Sequence, residues 1–195
     1  MHIGVLALQG DVREHLEALT RCGVQATPVK HAEEIERVDG LVIPGGESTT
    51  ISKLAVAFGL DGLIRQRIKA GLPVYGSCAG MIMVASNIED PASNQESFGG
   101  IDMVVRRNAF GRQVDSFESD LEFKGIEGSI RAVFIRAPWV ESLGPSVEIL
   151  ASVEVDGETH PVAVRSERVL ATSFHPELTG DDRVHRYFID EICGR

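Results

Sequence analysis

Cys78 is the residue whose neighbours most clearly prepare it for chemistry. It lies in Leu72-Pro73-Val74-Tyr75-Gly76-Ser77-Cys78-Ala79-Gly80-Met81, where a short apolar run stops at a cysteine bracketed by Gly76 and Gly80. The run reads as a buried strand, and Met81-Ile82-Met83-Val84-Ala85 as the apolar start of a helix. The pattern G-x-C-x-G is a nucleophile elbow, in which small flanking residues let the backbone bend sharply and keep the sulfur open. A helix starting there aims N–H groups and its positive dipole end at the sulfur. The other reading of a lone cysteine in a Gly-rich turn is a small buried hydrophobe.

A nucleophile needs a base, and the chain has six histidines. His2, His15, His31, His160 and His185 lie near the terminus, on helices or in polar turns, and read as solvent-facing or structural. His175 differs: in Ser173-Phe174-His175-Pro176-Glu177 it follows an apolar run directly, with Pro176 fixing the local backbone. Residues two apart in an extended segment point the same way, so the Glu177 carboxylate can reach the imidazole and set its tautomer. Cys78, His175 and Glu177 thus supply a nucleophile, a base and an orienter.

These residues need a scaffold that brings strand ends together. Ile3 to Leu8 is an apolar run, Gln9-Gly10-Asp11 a turn, and Val12, Leu16 and Leu19 recur at helical spacing with Asp11 placed as N-cap. Gly23 ends that helix, and Val24 to Val29 and Val38 to Ile43 read as the next strands. Alternating β and α elements predict an open, mostly parallel sheet flanked by helices, with ligands beyond the carboxyl ends of its strands. Three exits therefore matter: Gln9-Gly10, Pro44-Gly45-Gly46-Glu47-Ser48, and Cys78. The second precedes the helical pattern Ile51, Leu54, Ala55 and Phe58, so its glycines present bare N–H groups to an anion or a developing oxyanion. It reads equally as a Gly-rich turn with Ser48 as N-cap. It is not a P-loop, since no G-x-x-x-x-G-K-[ST] is present.

A helix over Leu60 to Ala70 leads into the elbow strand, and the polar stretch from Asn87 to Gly100 reads as a solvated loop. Beyond it the chain is β-rich, with candidate strands at Ile101 to Val105, Val114 to Phe123, Ile130 to Ile135, Val147 to Val155, Val162 to Val164 and Val169 to Phe174. Several of these can pair as a small antiparallel flap. Arg183 to Ile192 closes the chain as an amphipathic helix.

With 195 residues, 43% of them hydrophobic, one domain over 1–195 suffices. A formal charge of −10 disfavours a nucleic-acid surface. No apolar run approaches the roughly 20 residues of a membrane span. Cys22, Cys78 and Cys193 have neither disulfide-framework nor metal-ligand spacing, which points to a reducing cytoplasm and no metal.

Gly76-Ser77-Cys78-Ala79-Gly80 with Ser173-Phe174-His175-Pro176-Glu177 resembles the class I, triad-type glutamine amidotransferases. Leu8-Gln9-Gly10, Pro44 to Thr50, the block Arg107 to Phe117 and Phe134-Ile135-Arg136-Ala137-Pro138 are similar to the glutaminase subunits of pyridoxal 5′-phosphate synthase complexes. These motifs run from residue 8 to residue 178, and the Arg107 block is more specific than the elbow. Ser77 stands where threonine is common, and the stretch around Asp90 to Ser97 is longer than usual.

The resemblance implies a three-layer, flavodoxin-like α/β fold and hydrolysis of L-glutamine to L-glutamate and ammonia. The ammonia would pass to a synthase subunit that builds pyridoxal 5′-phosphate, in vitamin B6 biosynthesis, from ribose 5-phosphate and glyceraldehyde 3-phosphate. It also implies that Cys78 attacks the amide carbon, His175 shuttles the proton and Glu177 orients His175. Gly46 and Ala79 would supply oxyanion N–H groups, each such donor worth about 3–4 kcal/mol of barrier. Gly46, Glu47, Ser48, Arg107, Ile135 and Arg136 match substrate-binding positions, and Gln9-Gly10 the partner interface. No organic cofactor is required, and activity would be weak until the synthase binds. Another biosynthetic amidotransferase's glutaminase, or a catalytically silent regulatory module, has the same outline, as do cysteine hydrolases and chaperone-like proteins of this fold.

Overall fold

The structure, a computed structural model, describes residues 1–110, 116–155 and 157–194. Val114 and Asp115 of one candidate strand, and Gly111 to Asp115 of the long Arg107 block, fall outside the described residues.

Continuous apolar runs form the centre of the sheet, because strands covered on both faces have no polar side to show. β1 (His2–Leu6), β2 (Gln25–Val29), β3 (Gly40–Ile43), β4 (Val74–Ser77) and β12 (Val169–Thr172) pair in parallel, in the order β12-β4-β3-β1-β2. β10 (Glu148–Val155) and β11 (Glu158–Arg165) extend the sheet antiparallel beyond β12.

Alternate residues feed opposite layers. Leu41, Ile43, Val74, Val169 and Ala171 pack with α3 (Ser48–Ala57), α4 (Asp61–Lys69) and α5 (Ala79–Val84). Val42, Tyr75 and Leu170 pack on the other face with α1 (Val12–Arg21) and α6 (Arg183–Tyr187). A short α2 (Ala32–Glu36) buries Ile35 in the first layer.

The predicted flap is the antiparallel hairpin of β7 (Ser116–Glu122) and β8 (Ser129–Ile135). Phe117 stacks on Phe134 at 4.5 Å, and Phe110 packs against both rings. A further small sheet is mixed: β5 (Ala85–Glu89) runs parallel to β6 (Ile101–Arg106), and β9 (Trp139–Leu143) antiparallel to it.

Three features differ from what the sequence suggests. The stretch from Asn87 to Gly100 is not simply solvated, since its start lies in β5 and both Gln95 and Phe98 are buried. β9 carries no apolar run, and it forms because β6 offers it an edge. The closing helix also widens after Tyr187 into π-helical turns over Phe188–Cys193.

The elbow is a close-packed junction. A Cβ on Gly80 would run into the Ile43 carbonyl oxygen of β3, and one on Gly76 into the Gly80 carbonyl oxygen. Gly80→Ala is therefore expected to destabilise the fold by about 1–3 kcal/mol. An unchanged urea midpoint would contradict this close approach.

Candidate active site at the strand exits

Neighbouring parallel strands end on one edge of the sheet, so the segments that follow them converge there. Gln9 follows β1, Gly46 follows β3, Cys78 follows β4 and His175 follows β12, and these four strands are consecutive in the sheet. Ser77 pairs with Thr172, and the Cys78 N–H donates to the Thr172 carbonyl at 2.8 Å. This register sets Cys78 against the segment carrying His175.

Cys78 has φ +48°, a left-handed conformation costly for a side-chain-bearing residue and typical of a nucleophile turn. Its thiol shares the cavity wall with the His175 ring and lies 3.9 Å from the Ile135 carbonyl oxygen. On the far side of the ring, His175 Nδ1 is 2.7 Å from Glu177 Oε1. Glu177 reaches it from a 3-10 turn over Pro176–Leu178, not from the extended segment the spacing suggested. The cysteine, imidazole and carboxylate thus form one continuous line.

Burial opposes charge on both members of the ion pair, and their partners outweigh it. His175 is raised from its ordinary value despite burial, through the neighbouring Asp11, Cys78 and Glu177 groups. Glu177 is held below the usual carboxylate range despite burial, by the neighbouring His15 ring and by its hydrogen bond with His175. Burial pushes Cys22 up and Cys193 up to about 12, so neither is a competing thiolate.

Cys78 and His175 open onto a cavity of about 520 Å³, also lined by Gly46, Glu47, Ser48, Ala79, Arg107, Ile135 and Arg136. Every expected oxyanion and substrate-binding residue therefore shares one space. Glu177 sits behind His175, with no side-chain exposure. Gly46, at φ +151°, lets its loop turn back on Gln9, whose Oε1 accepts the Glu47 N–H at 2.7 Å. Gln9 thus lines the cavity as well as lying at an outer loop, while Gly10 packs against the Gly45 backbone.

Glu47, not Ser48, caps α3. Its carboxylate accepts the Thr49 and Thr50 N–H groups at 3.0 and 2.7 Å, because its longer side chain reaches back over the first turn. Those bonds hold it below its ordinary pKa although partial burial acts the other way. Arg107 donates to Gln95 Oε1 at 2.9 Å and pairs with Glu47 Oε1 at 3.5 Å. Gln95 in turn donates to Ser48 Oγ at 2.9 Å. Arg136 takes φ +43° beside the cavity.

The profile of the SNO glutamine amidotransferase family matches residues 5–194. The chain belongs to this family. It is 63% identical to "Pyridoxal 5′-phosphate synthase subunit PdxT" of Streptomyces coelicolor over 97% of this chain and 93% of that protein. It is 60% identical to the same-named protein of Mycobacteroides abscessus, over 97% of this chain and 96% of the other. A solved structure described as a glutamine amidotransferase superposes with a TM-score of 0.89 at 50% identity, covering 99% of both chains. The fold extends to PurLQS of Thermotoga maritima, with a TM-score of 0.69 at 15% identity, covering 99% of this chain and 97% of that one.

In this amidotransferase, four residues near the site escape a reading based on local pattern. Asp11 occupies the N-cap position of α1 but makes no side-chain cap bond, and its Oδ2 lies 3.4 Å from His175 Nδ1. Gln95 sits in a stretch whose polarity resembles a loop. His15 and His185 are fully buried and not solvent-facing, and the ring nitrogen Nε2 of His15 is 3.4 Å from Glu177 Oε1. The available signal for His15 was its position on the Val12, Leu16 and Leu19 stripe, four residues after Asp11. By contrast, His160 stacks on Trp139 and His2 bonds Thr27, both structural roles. Asp11, His175 and Glu177 present ligand atoms within 4.8 Å of one another, close enough to hold a cation, but His175 Nδ1 is already engaged by Glu177.

Because Glu177 is depressed in the folded chain, its stabilisation is complete above its ordinary pKa of 4.5 and lost as pH falls below that value. Glu177→Gln is therefore expected to lose less stability than the parent chain between pH 6 and about pH 3. Equal losses in urea unfolding at the two pH values would contradict the assigned ion pair.

Proposed function

We propose that this chain, as one domain over residues 1–195, is the cytoplasmic glutaminase subunit of a pyridoxal 5′-phosphate synthase. It hydrolyses L-glutamine to L-glutamate and ammonia, and a synthase subunit docked near Gln9 and Gly10 uses the ammonia. The observation that carries this reading is the unbroken line Cys78–His175–Glu177 at the wall of a cavity bearing Arg107 and Arg136. High identity to proteins named as subunits of that synthase supports the partner.

In the reaction, His175 takes the Cys78 proton and the sulfur attacks the side-chain amide carbon of glutamine. The carbonyl oxygen becomes an oxyanion met by N–H groups of Gly46 and Ala79. His175 then protonates the amide nitrogen, ammonia departs, and a thioester remains. Water, deprotonated by His175, attacks the thioester, and glutamate leaves as Cys78 regains its proton. Glu177 holds the ring and stabilises its cation without accepting the proton. Arg107 and Arg136 suit the α-carboxylate of a zwitterionic substrate, and Glu47, with Ser48 beside it, suits the ammonium. Ile135 contributes its backbone carbonyl beside the sulfur.

Glutamate release by the purified chain, alone and with a pyridoxal 5′-phosphate synthase subunit, tests this reading. Release is expected to rise with the synthase and to fall by about 10³-fold or more in Cys78→Ala and His175→Ala. Release dependent on Cys78 but indifferent to that synthase would point to another acceptor enzyme, and no release from a folded chain would point to a regulatory module.

Arg107→Ala is expected to act mainly on substrate binding, raising KM about tenfold, the equivalent of losing one charge-assisted hydrogen bond. Gln95→Leu should move KM in the same direction, because it frees the Arg107 side chain. A lowered kcat at unchanged KM in both variants would remove these residues from substrate binding.

A further inference from the structure

We propose that His15 is a positioning residue for this reaction: its Nε2–H supports Glu177 from a second side, and His185 holds it in the tautomer that allows this. The inference rests on the glutaminase reading of Cys78, His175 and Glu177.

His15 projects from α1 into the core with no exposed surface, as does His185 from α6. His15 Nε2 is 3.4 Å from Glu177 Oε1, the same oxygen that His175 Nδ1 meets at 2.7 Å. That contact is long and off line, and Nε2 has no formed hydrogen bond. A fully buried ring nitrogen whose nearest charged neighbour is a carboxylate is poised to close on it. Such hydrogen bonds are often long in ligand-free sites and tighten when substrate binds.

Counting protons fixes the direction of the chain. His15 Nδ1 and His185 Nε2 are 2.9 Å apart, so one proton lies between them. Burial pushes His185 down to about 3, so it is neutral and carries a single ring proton. If His185 Nε2–H donates, His15 Nδ1 accepts and the His15 proton sits on Nε2, facing Glu177. The unpartnered nitrogen left over is then His185 Nδ1, a bare acceptor. If instead His15 Nδ1–H donates, His185 Nδ1 must carry a buried proton with no acceptor. When His15 is also neutral, that arrangement further turns a lone pair toward the carboxylate. The first arrangement aims its one unpaired N–H at a carboxylate 3.4 Å away, whereas the second buries an N–H that faces no acceptor, and the first is the one assigned.

The consequence lies at the moment His175 becomes a cation. A buried carboxylate short of donors could take that proton back. A second N–H on Oε1 makes Glu177 a poorer proton acceptor, so the imidazolium keeps its proton for the departing ammonia. Tyr75, edge-on to both rings at 6.0 and 5.8 Å, keeps the pair in place.

Steady-state glutaminase assays of the chain with its synthase, and ring ¹⁵N spectra of the full chain, test this role. His15→Leu is expected to lower kcat about tenfold with KM within about twofold. His15→Gln should restore kcat to within about threefold, since its amide can donate to Glu177 and accept from His185. The spectra should show His15 protonated at Nε2 and bare at Nδ1. An active parent chain with an indifferent His15→Leu, or a His15→Gln as impaired as His15→Leu, would overturn the role and leave the glutaminase reading standing. A His15 protonated at Nδ1 would overturn it even if His15→Leu failed to fold. A parent chain without release dependent on Cys78 would remove the glutaminase reading itself.

Discussion

A carboxylate with no exposed side-chain surface is costly in any fold, and Glu177 is such a group. It is tolerated because donors converge on it from distant parts of the chain. His175 is two residues away, whereas Ser77 Oγ approaches Oε2 at 3.3 Å from β4, and His15 Nε2 faces Oε1 from α1. The Ser77 hydroxyl also faces the Phe174 carbonyl at 3.2 Å, so its single proton is shared between two acceptors. Satisfying this one ion requires β4, β12 and α1 to hold their relative positions, and the parallel sheet enforces that.

The same sheet divides the site into a rigid half and an assembled half. The triad half is built from strand ends, a strained Cys78 backbone and close glycine contacts, none of which can shift without disturbing β3, β4 or β12. The substrate half is built from loops held by side chains. Gln9 holds the backbone after Gly46, Glu47 caps α3, and Gln95 ties Ser48 to Arg107. A hydrolase needs its nucleophile and base fixed to within a fraction of an ångström, while the groups that read the substrate can be set by a hydrogen-bond network. That division also sets the loop through Gly46 against Gln9 and Gly10.

What was legible in the sequence was whatever local covalent order dictates. Apolar runs alternating with helical stripes identified the parallel sheet, because burial on both faces leaves no polar residues in such strands. Gly76 and Gly80 around Cys78 identified the elbow, because only glycine admits that backbone approach. His175 and Glu177 were legible as a pair because two residues of separation fixes their reach, although the turn that joins them is 3-10 and not extended.

Other features depended on which segments fold against one another, and no local pattern encodes that. β9 became a strand because β6 offered an edge. Asp11 turned from its cap position to His175, Gln95 was buried by α3 and Arg107, and His15 and His185 met 170 residues apart in the chain. The sequence by itself determined the Cys78 elbow, the His175–Glu177 pair and the sheet that carries them. Tertiary structure alone decided the surroundings of Glu177, because the solvation of a buried charge is set by whatever the whole fold brings within hydrogen-bond reach.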